Sequence, residues 1–202
     1  MDQPQQQQPP NIPTPFTVPS SLAHYLRPGA PHSFPHLHSE PIDHFIASTF
    51  VFDPSGRLLL VQRSETDAFP LCWEIPGGCV DLEDPTVLHA AARELREEAG
   101  LTATAFVSCA DSFADGRSPH VFIDEPPGEV ARLWCRLAFL VEVEAAGEVV
   151  LDEREHRDFV WATAEELEEG RASGRDLVFA TPAMREILIE GFRMKRVADG
   201  EA

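Results

Sequence analysis

The chain has 202 residues, 43% of them hydrophobic, enough for one ordinary domain with its own core plus some additional chain. Its formal net charge of −18 argues against binding a nucleic-acid duplex through its phosphates, which needs a basic surface. The four cysteines, Cys72, Cys79, Cys109 and Cys135, form no C-x-x-C pair, so reduced structural thiols are expected. The start of the sequence lacks a basic region followed by an apolar signal core, and no run of about 18 apolar residues occurs. A cytoplasmic protein with no membrane partner is therefore expected.

Residues 1–41 stand apart in composition, with a glutamine tract at 5–8 and prolines throughout. Such a segment buries too little apolar surface to offset its ordering entropy, so a largely disordered tail or arm is expected. The stretch after Pro19, with Leu22, Tyr25, Leu26 and Phe34, is the part able to lie against a domain. His32, His36, His38 and His44 have no fixed spacing on a predicted helix or hairpin and are assigned no metal. The domain is placed at 42–195, with 196–202 as a C-terminal tail.

Phe45–Phe52 reads as a strand, Asp53-Pro54-Ser55-Gly56 as a turn, and Arg57–Arg63 as the returning strand of a hairpin. Trp73–Pro76 is a short third strand running into Gly77-Gly78. Asp84 suits an N-cap and Pro85 the first helical position. Leu88, Ala91, Ala92, Leu95 and Ala99 then make an apolar helical stripe, and Gly100 stops it. Strands are predicted at 102–112 and 133–144, separated by a long loop at about 113–130. A short strand at Phe159–Trp161, a small acidic helix capped by Thr163 and a final helix from Thr181-Pro182 to about Arg193 follow. The alternation gives an α/β (α+β) class, with helices on both faces of a mixed sheet.

The predicted helix from Pro85 to Ala99 carries the chemistry. Glu94, Glu97 and Glu98 crowd onto one helical face, beside the buried stripe, and like charges three or four residues apart repel. Glu97 and Glu98 also fall in the last turn, where the helix dipole disfavours carboxylates. A hard cation held by oxygen ligands would account for that placement.

Gly77-Gly78 followed by Arg93-Glu94-Leu95-Arg96-Glu97-Glu98-Ala99-Gly100-Leu101 resembles the signature of the Nudix hydrolases, G-x5-E-x7-R-E-U-x-E-E-x-G-U, with U a bulky aliphatic residue. The second half matches at every fixed position. In the first half Asp84 stands where a glutamate is expected, and eight residues rather than seven separate it from Arg93. One extra residue in the loop entering the helix accounts for the difference. The likeness covers about 42–195 and implies a Nudix-like α/β/α sandwich with a mixed β-sheet.

The resemblance further implies a metal-dependent hydrolase that cleaves the P–O–P link of a nucleoside-diphosphate-linked or other organic diphosphate. Glu94, Glu97 and Glu98, with the backbone of Gly77, are the implied ligands of Mg²⁺ or Mn²⁺. Arg93 is implied to orient the carboxylates, so Arg93, Glu94 and Glu97 form the catalytic group. The general base is a helix glutamate or one from a later loop, for which Glu155 is a candidate beside Glu153. Arg63, Trp73 and Gly78 are candidates for substrate binding, though Trp73 equally suits the core; Arg117 and His120 in the long loop are weaker candidates. The expected partner is a small-molecule diphosphate, and a homodimer is left open.

Two other functions are compatible with such a fold. One is a noncatalytic nucleotide- or diphosphate-binding module, against which the full set of glutamates argues. The other is isoprenoid-diphosphate chemistry, which would need a catalytic cysteine that Cys72 and Cys79 do not present in a matching motif. Marks of the coenzyme A, NADH and ADP-ribose subfamilies are missing, so the substrate is not read from the sequence.

Overall fold

The computed structural model describes residues 14–27, 42–110, 120–125, 128, 130–144 and 148–201. Ten strands and three α-helices are described: β1 His44–Val51, β2 Leu58–Arg63, β3 Trp73–Glu74, β4 Gly77–Cys79, α1 Val87–Ala99, β5 Ala103–Cys109, β6 His120–Asp124, β7 Arg132–Val143, β8 His156–Ala162, α2 Ala164–Glu169, β9 Arg171–Ala172, β10 Arg175–Asp176 and α3 Pro182–Ala198.

β7 organises the main sheet. Its parallel partner β1 runs along Trp134–Val141, and β4 closes the far side of β1 in antiparallel sense. On its other edge β7 pairs first with β6 and then with β5, both antiparallel. A second sheet has the order β3-β2-β8, and β9-β10 is a small hairpin. β1 is buried along most of its length, as a strand covered on both faces must be.

Alternation along β7 separates the two cores. Cys135, Leu137, Phe139 and Val141 pack with α1, whereas Ala138 and Leu140 pack with α3. The product is a mixed sheet between helical layers, an α/β/α sandwich. On α1, Leu88, Ala91, Leu95 and Ala99 are fully buried. Each leucine there contributes about 1.5–3 kcal/mol.

Several expectations need correction. Asp84 is not the cap of α1: Thr86 is, its side chain accepting from the His89 N–H. Asp84 is unavailable because its carboxylate grips Arg93. Gly100 does end the helix, in the left-handed conformation at φ 69°. β1 and β2 are not a hairpin within one sheet; they meet only at the Phe52–Leu58 bridge and pass into different sheets. The expected loop at 113–130 contains β6, whose partner is the N-terminal half of β7, a pairing that local sequence does not reveal. α3 runs past Arg193 to Ala198, through the last part of the domain and into the stretch assigned to a tail.

From the N-terminal region, Thr17 exchanges backbone hydrogen bonds with Thr104 and Phe106 at 2.9 Å, adding a bridge to the edge of β5. Phe16 packs edge-on against Phe106, and Tyr25, on a short 3-10 helix at Ser20–Leu26, against Phe139. Residues 14–27 are thus docked on the domain. The glutamine tract, His32, His36, His38 and Phe34 lie outside the described residues. Among the described residues no helix is long and apolar enough to cross a membrane.

Candidate active site

The glutamates of α1 are not equivalent. Glu94 and Glu98, one turn apart, are 8% and 5% exposed and face β4, whereas the Glu97 side chain is 56% exposed. They were expected together beside the apolar stripe; Glu94 and Glu98 instead turn inward where α1 lies on the Gly77-Gly78 strand, and Glu97 stays at the solvent side of Glu94, sharing Arg93 with it. Gly78 permits that approach, because a Cβ there would stand 2.7 Å from the Glu94 carboxylate. The Gly77 N–H donates to Glu98 Oε2 at 2.6 Å.

Gly78→Ala is accordingly expected to displace Glu94 and weaken divalent-metal binding at least about 10-fold, as loss of a ligand's support does. Its melting temperature should stay near that of the wild type, since the flexible carboxylate can move aside. Titration calorimetry with Mn²⁺ and a thermal melt check both.

Arg93 ties the entrance of the helix together. Its guanidinium forks onto Asp84 at 3.0 and 2.8 Å and reaches Glu94 at 2.8 Å, Glu97 at 3.0 Å and the Cys79 carbonyl at 3.0 Å. Asp84 also accepts from the Asp81 N–H at 2.9 Å. The loop turns outward at Leu82, which is 98% exposed. Asp84 is therefore a partner of Arg93.

The second sheet delivers the remaining groups. β2 lies between β3 and β8, with Val61 opposite Glu74 and Arg63 opposite His156. The Ser64 N–H donates to the Glu155 carbonyl at 2.8 Å, fixing the residue before β8 at the same end. Ligand atoms of Glu98, Glu155 and His156 all lie within 4.8 Å of one another. His156 is 2% exposed, and neither ring nitrogen has a hydrogen-bond partner among the described residues. Its Nε2 is 3.8 Å from Glu74, too long for a hydrogen bond. A buried imidazole with both nitrogens unmatched is costly, and a cation between it and the two carboxylates would satisfy one of them.

The electrostatics agree. Burial pushes the Glu98 carboxyl well above the usual range; the Gly77 N–H opposes this, and Glu74, Glu94 and Glu155 reinforce it. Burial likewise pushes Glu94 up, against the pull of Arg93. Glu74 is the exception. Burial acts against its ionisation, but His156, Arg136 and Arg63 together hold it below the ordinary range. A cluster of carboxylates raised by burial and mutual repulsion is what a divalent cation stabilises.

Glu74, Glu94, Glu98, Glu155 and Arg136 line one cleft of about 950 Å³. Arg63 borders it, yet its guanidinium is engaged by Glu74 at 2.5 Å, Asp67 at 2.6 Å and the Ala68 carbonyl at 2.5 Å. Trp73, 1% exposed, donates its indole N–H to the Asp176 carbonyl and serves as inner wall and core. Gly77 contributes its N–H to the site through Glu98. Arg117 lies outside the described residues, and of His120 only the backbone is described. Sequence reasoning missed His156, Glu74 and Arg136. The adjacency of Glu155 and His156 to a predicted strand was the available signal for the first; the other two are placed by sheet pairing.

A family model described as the NUDIX domain matches residues 43–181, and the chain belongs to that family. Among solved structures it is similar to the MutT protein from Methanosarcina mazei Go1, with 22% identity, a TM-score of 0.53, and coverage of 76% of this chain and 94% of that one. It is also similar to the E. coli ORF135 protein, with 25% identity, a TM-score of 0.51, and coverage of 77% and 91%. A third is a C. elegans Ap4A hydrolase, at 19% identity and a TM-score of 0.51, covering 79% of this chain and 99% of that one. No curated protein matches the chain. Family and site together support hydrolase chemistry on diphosphates in general.

Proposed function

We propose that the protein is a divalent-metal-dependent pyrophosphohydrolase that cleaves the P–O–P link of an organic diphosphate. The observation that carries this reading is the buried His156 imidazole, with no hydrogen-bond partner at either ring nitrogen among the described residues, facing Glu98 and Glu155 beside the Nudix helix. Glu98, Glu155 and His156 would hold the ion, with Glu94 on the adjoining turn. A bound ion supplies neutralisation of the diphosphate charge and a water of lowered pKa. Mg²⁺ and Mn²⁺ both suit carboxylates, and the imidazole tilts the preference toward Mn²⁺.

The protein's own groups do the rest. Glu155, the exposed member of the trio, lines the cleft, and the carboxylate oxygen not given to the ion can take a proton from water and return it to solvent. Arg93 positions Glu94 and holds Glu97 beside it. Glu74 balances the guanidinium of Arg63 at the cleft wall. Cysteine-dependent isomerase chemistry is disfavoured: burial, with Glu94 and Asp81, pushes the Cys79 thiol up, away from a reactive thiolate.

The test is phosphate release, coupled to a phosphatase, from a panel of nucleoside-linked and alkyl diphosphates with Mg²⁺ or Mn²⁺. Wild type is expected to turn over at least one, faster with Mn²⁺, and Glu155→Gln to lower kcat about 10²–10⁴-fold, the range for a lost general base. An unchanged rate in Glu155→Gln removes it from the mechanism. Binding without turnover by the wild type would favour the noncatalytic module.

A further inference from the structure

Burying carboxylates costs free energy, so the helix that presses Glu94 and Glu98 against Gly77-Gly78 must be held there by packing elsewhere. Part of that packing comes from the N-terminal segment. His89 precedes Glu98 by about two and a half turns, which sets the two on opposite sides of α1. Phe16 lies against the His89 ring at 5.2 Å and against Phe106 of β5 at 4.7 Å. His89 in turn brings Nδ1 within 2.8 Å of the hydroxyl of Thr86, the cap of α1. The segment therefore meets the start of the helix on the side turned away from the metal ligands.

The core behind α1 gives this contact its weight. Besides Leu88, the first turns of the helix bury Val87, Ala90 and Ala91, side chains too short to reach far. Phe16, Leu22 and Tyr25 supply the missing bulk and belong to the same buried cluster. Thr17 ties the segment to β5 through its backbone. Its N–H donates to the Thr104 carbonyl and its carbonyl accepts from the Phe106 N–H, both at 2.9 Å. These three side chains and one bridge have to offset the ordering entropy of residues 14–27. Docking on those terms is shallow enough for a ligand on the far side of α1 to shift it.

We propose, on the metal reading of the site, that the segment around Phe16 is a brace for the metal-binding helix. Its docking behind α1 and the binding of a divalent ion in front of it are coupled, and Phe16 is a positioning residue for Glu94 and Glu98. The coupling runs both ways: a docked brace that raises metal affinity by some factor is itself held more tightly by the metal, by the same factor. Lifting the segment lowers metal occupancy without touching the cleft.

Calorimetry with Mn²⁺ on the full chain tests one direction. Phe16→Ala is expected to weaken binding about 10-fold, within the usual range of coupling between sites. Thr17→Pro, which removes the N–H given to Thr104, should do the same. Leu167→Ala, in the other core, is the comparison: it should lower the melting temperature and leave Mn²⁺ affinity within about twofold of wild type. Hydrogen exchange on the wild type tests the other direction and needs no variant to fold. The Thr17 and Phe106 amides should exchange faster than those at the centre of β2, by undocking and not by global unfolding. Saturating Mn²⁺ should slow both about 10-fold, the factor expected from calorimetry. Mn²⁺ affinity unchanged in Phe16→Ala, an equal loss in Leu167→Ala, or Thr17 and Phe106 exchange unmoved by Mn²⁺ would each overturn the coupling while the metal reading stands. A wild type that binds no Mn²⁺ would overturn both.

Discussion

Glu98→Gln is expected to make the metal-free protein more stable at neutral pH while removing its response to metal. Glu98 is raised well above its ordinary value, chiefly by burial, so the folded state holds a proton that the unfolded chain has released. Stability changes with pH as the protons bound by the unfolded state minus those bound by the native state. That difference is negative between the ordinary carboxylate range and the raised value. The contribution of Glu98 is therefore fully present at low pH and lost as pH rises through its folded pKa. Glutamine cannot ionise, and its amide oxygen can still accept from the Gly77 N–H. Each kcal/mol recovered corresponds to a melting temperature about 2–4 °C higher in a protein of this size. Mn²⁺ should raise the melting temperature of wild type and leave that of Glu98→Gln unmoved, and hydrolysis should fall at least about 100-fold. Melts from pH 4 to 8 with chelator or Mn²⁺ decide it. A Glu98→Gln protein still stabilised by Mn²⁺ would take Glu98 out of the metal site.

The second large effect is expected at Arg93. Arg93→Ala removes the fork on Asp84, whose side chain is 6% exposed, together with the contacts to Glu94, Glu97 and the Cys79 carbonyl. Carboxylates left without their cation in a part-buried site destabilise strongly. Arg93 itself is 28% exposed, so solvent repays part of the loss, and about 2–3 kcal/mol is expected by urea denaturation. Arg93→Lys restores the charge but not two parallel hydrogen bonds. It should recover around half of the stability and little of kcat, because Glu94 is aimed by the fork. Equal recovery of both would reduce Arg93 to a simple counter-charge.

How far the sequence carried depended on the range of the interaction. α1 was legible because its determinants are local: the Leu88–Leu95 stripe, Gly100 and the charged run between them. Its start was misplaced because Asp84 and Pro85 mimic a cap, and only the fold shows Arg93 claiming the aspartate. The inward turn of Glu94 and Glu98 follows from the approach of a glycine strand to the helix, a tertiary fact. β6 escaped notice because its stability comes from β7. Arg136 and His156 carry no motif: one is the middle of three charges spaced along a mostly apolar strand, the other follows an ordinary acidic stretch. Their roles come from cross-strand neighbours distant in sequence.

The docked segment around Phe16 and Tyr25 bears on where this protein begins as a physical object. The family resemblance starts at residue 43, yet Phe16 and Tyr25 are 4% and 0% exposed and cover Phe106 and Phe139. Thr17 meanwhile caps an otherwise open strand edge. Trimmed to the family boundary, the chain would keep its catalytic groups but expose an aromatic flank and a bare β-edge, the two features that invite self-association. The stretch that matches the family is shorter than the stretch packed into one core.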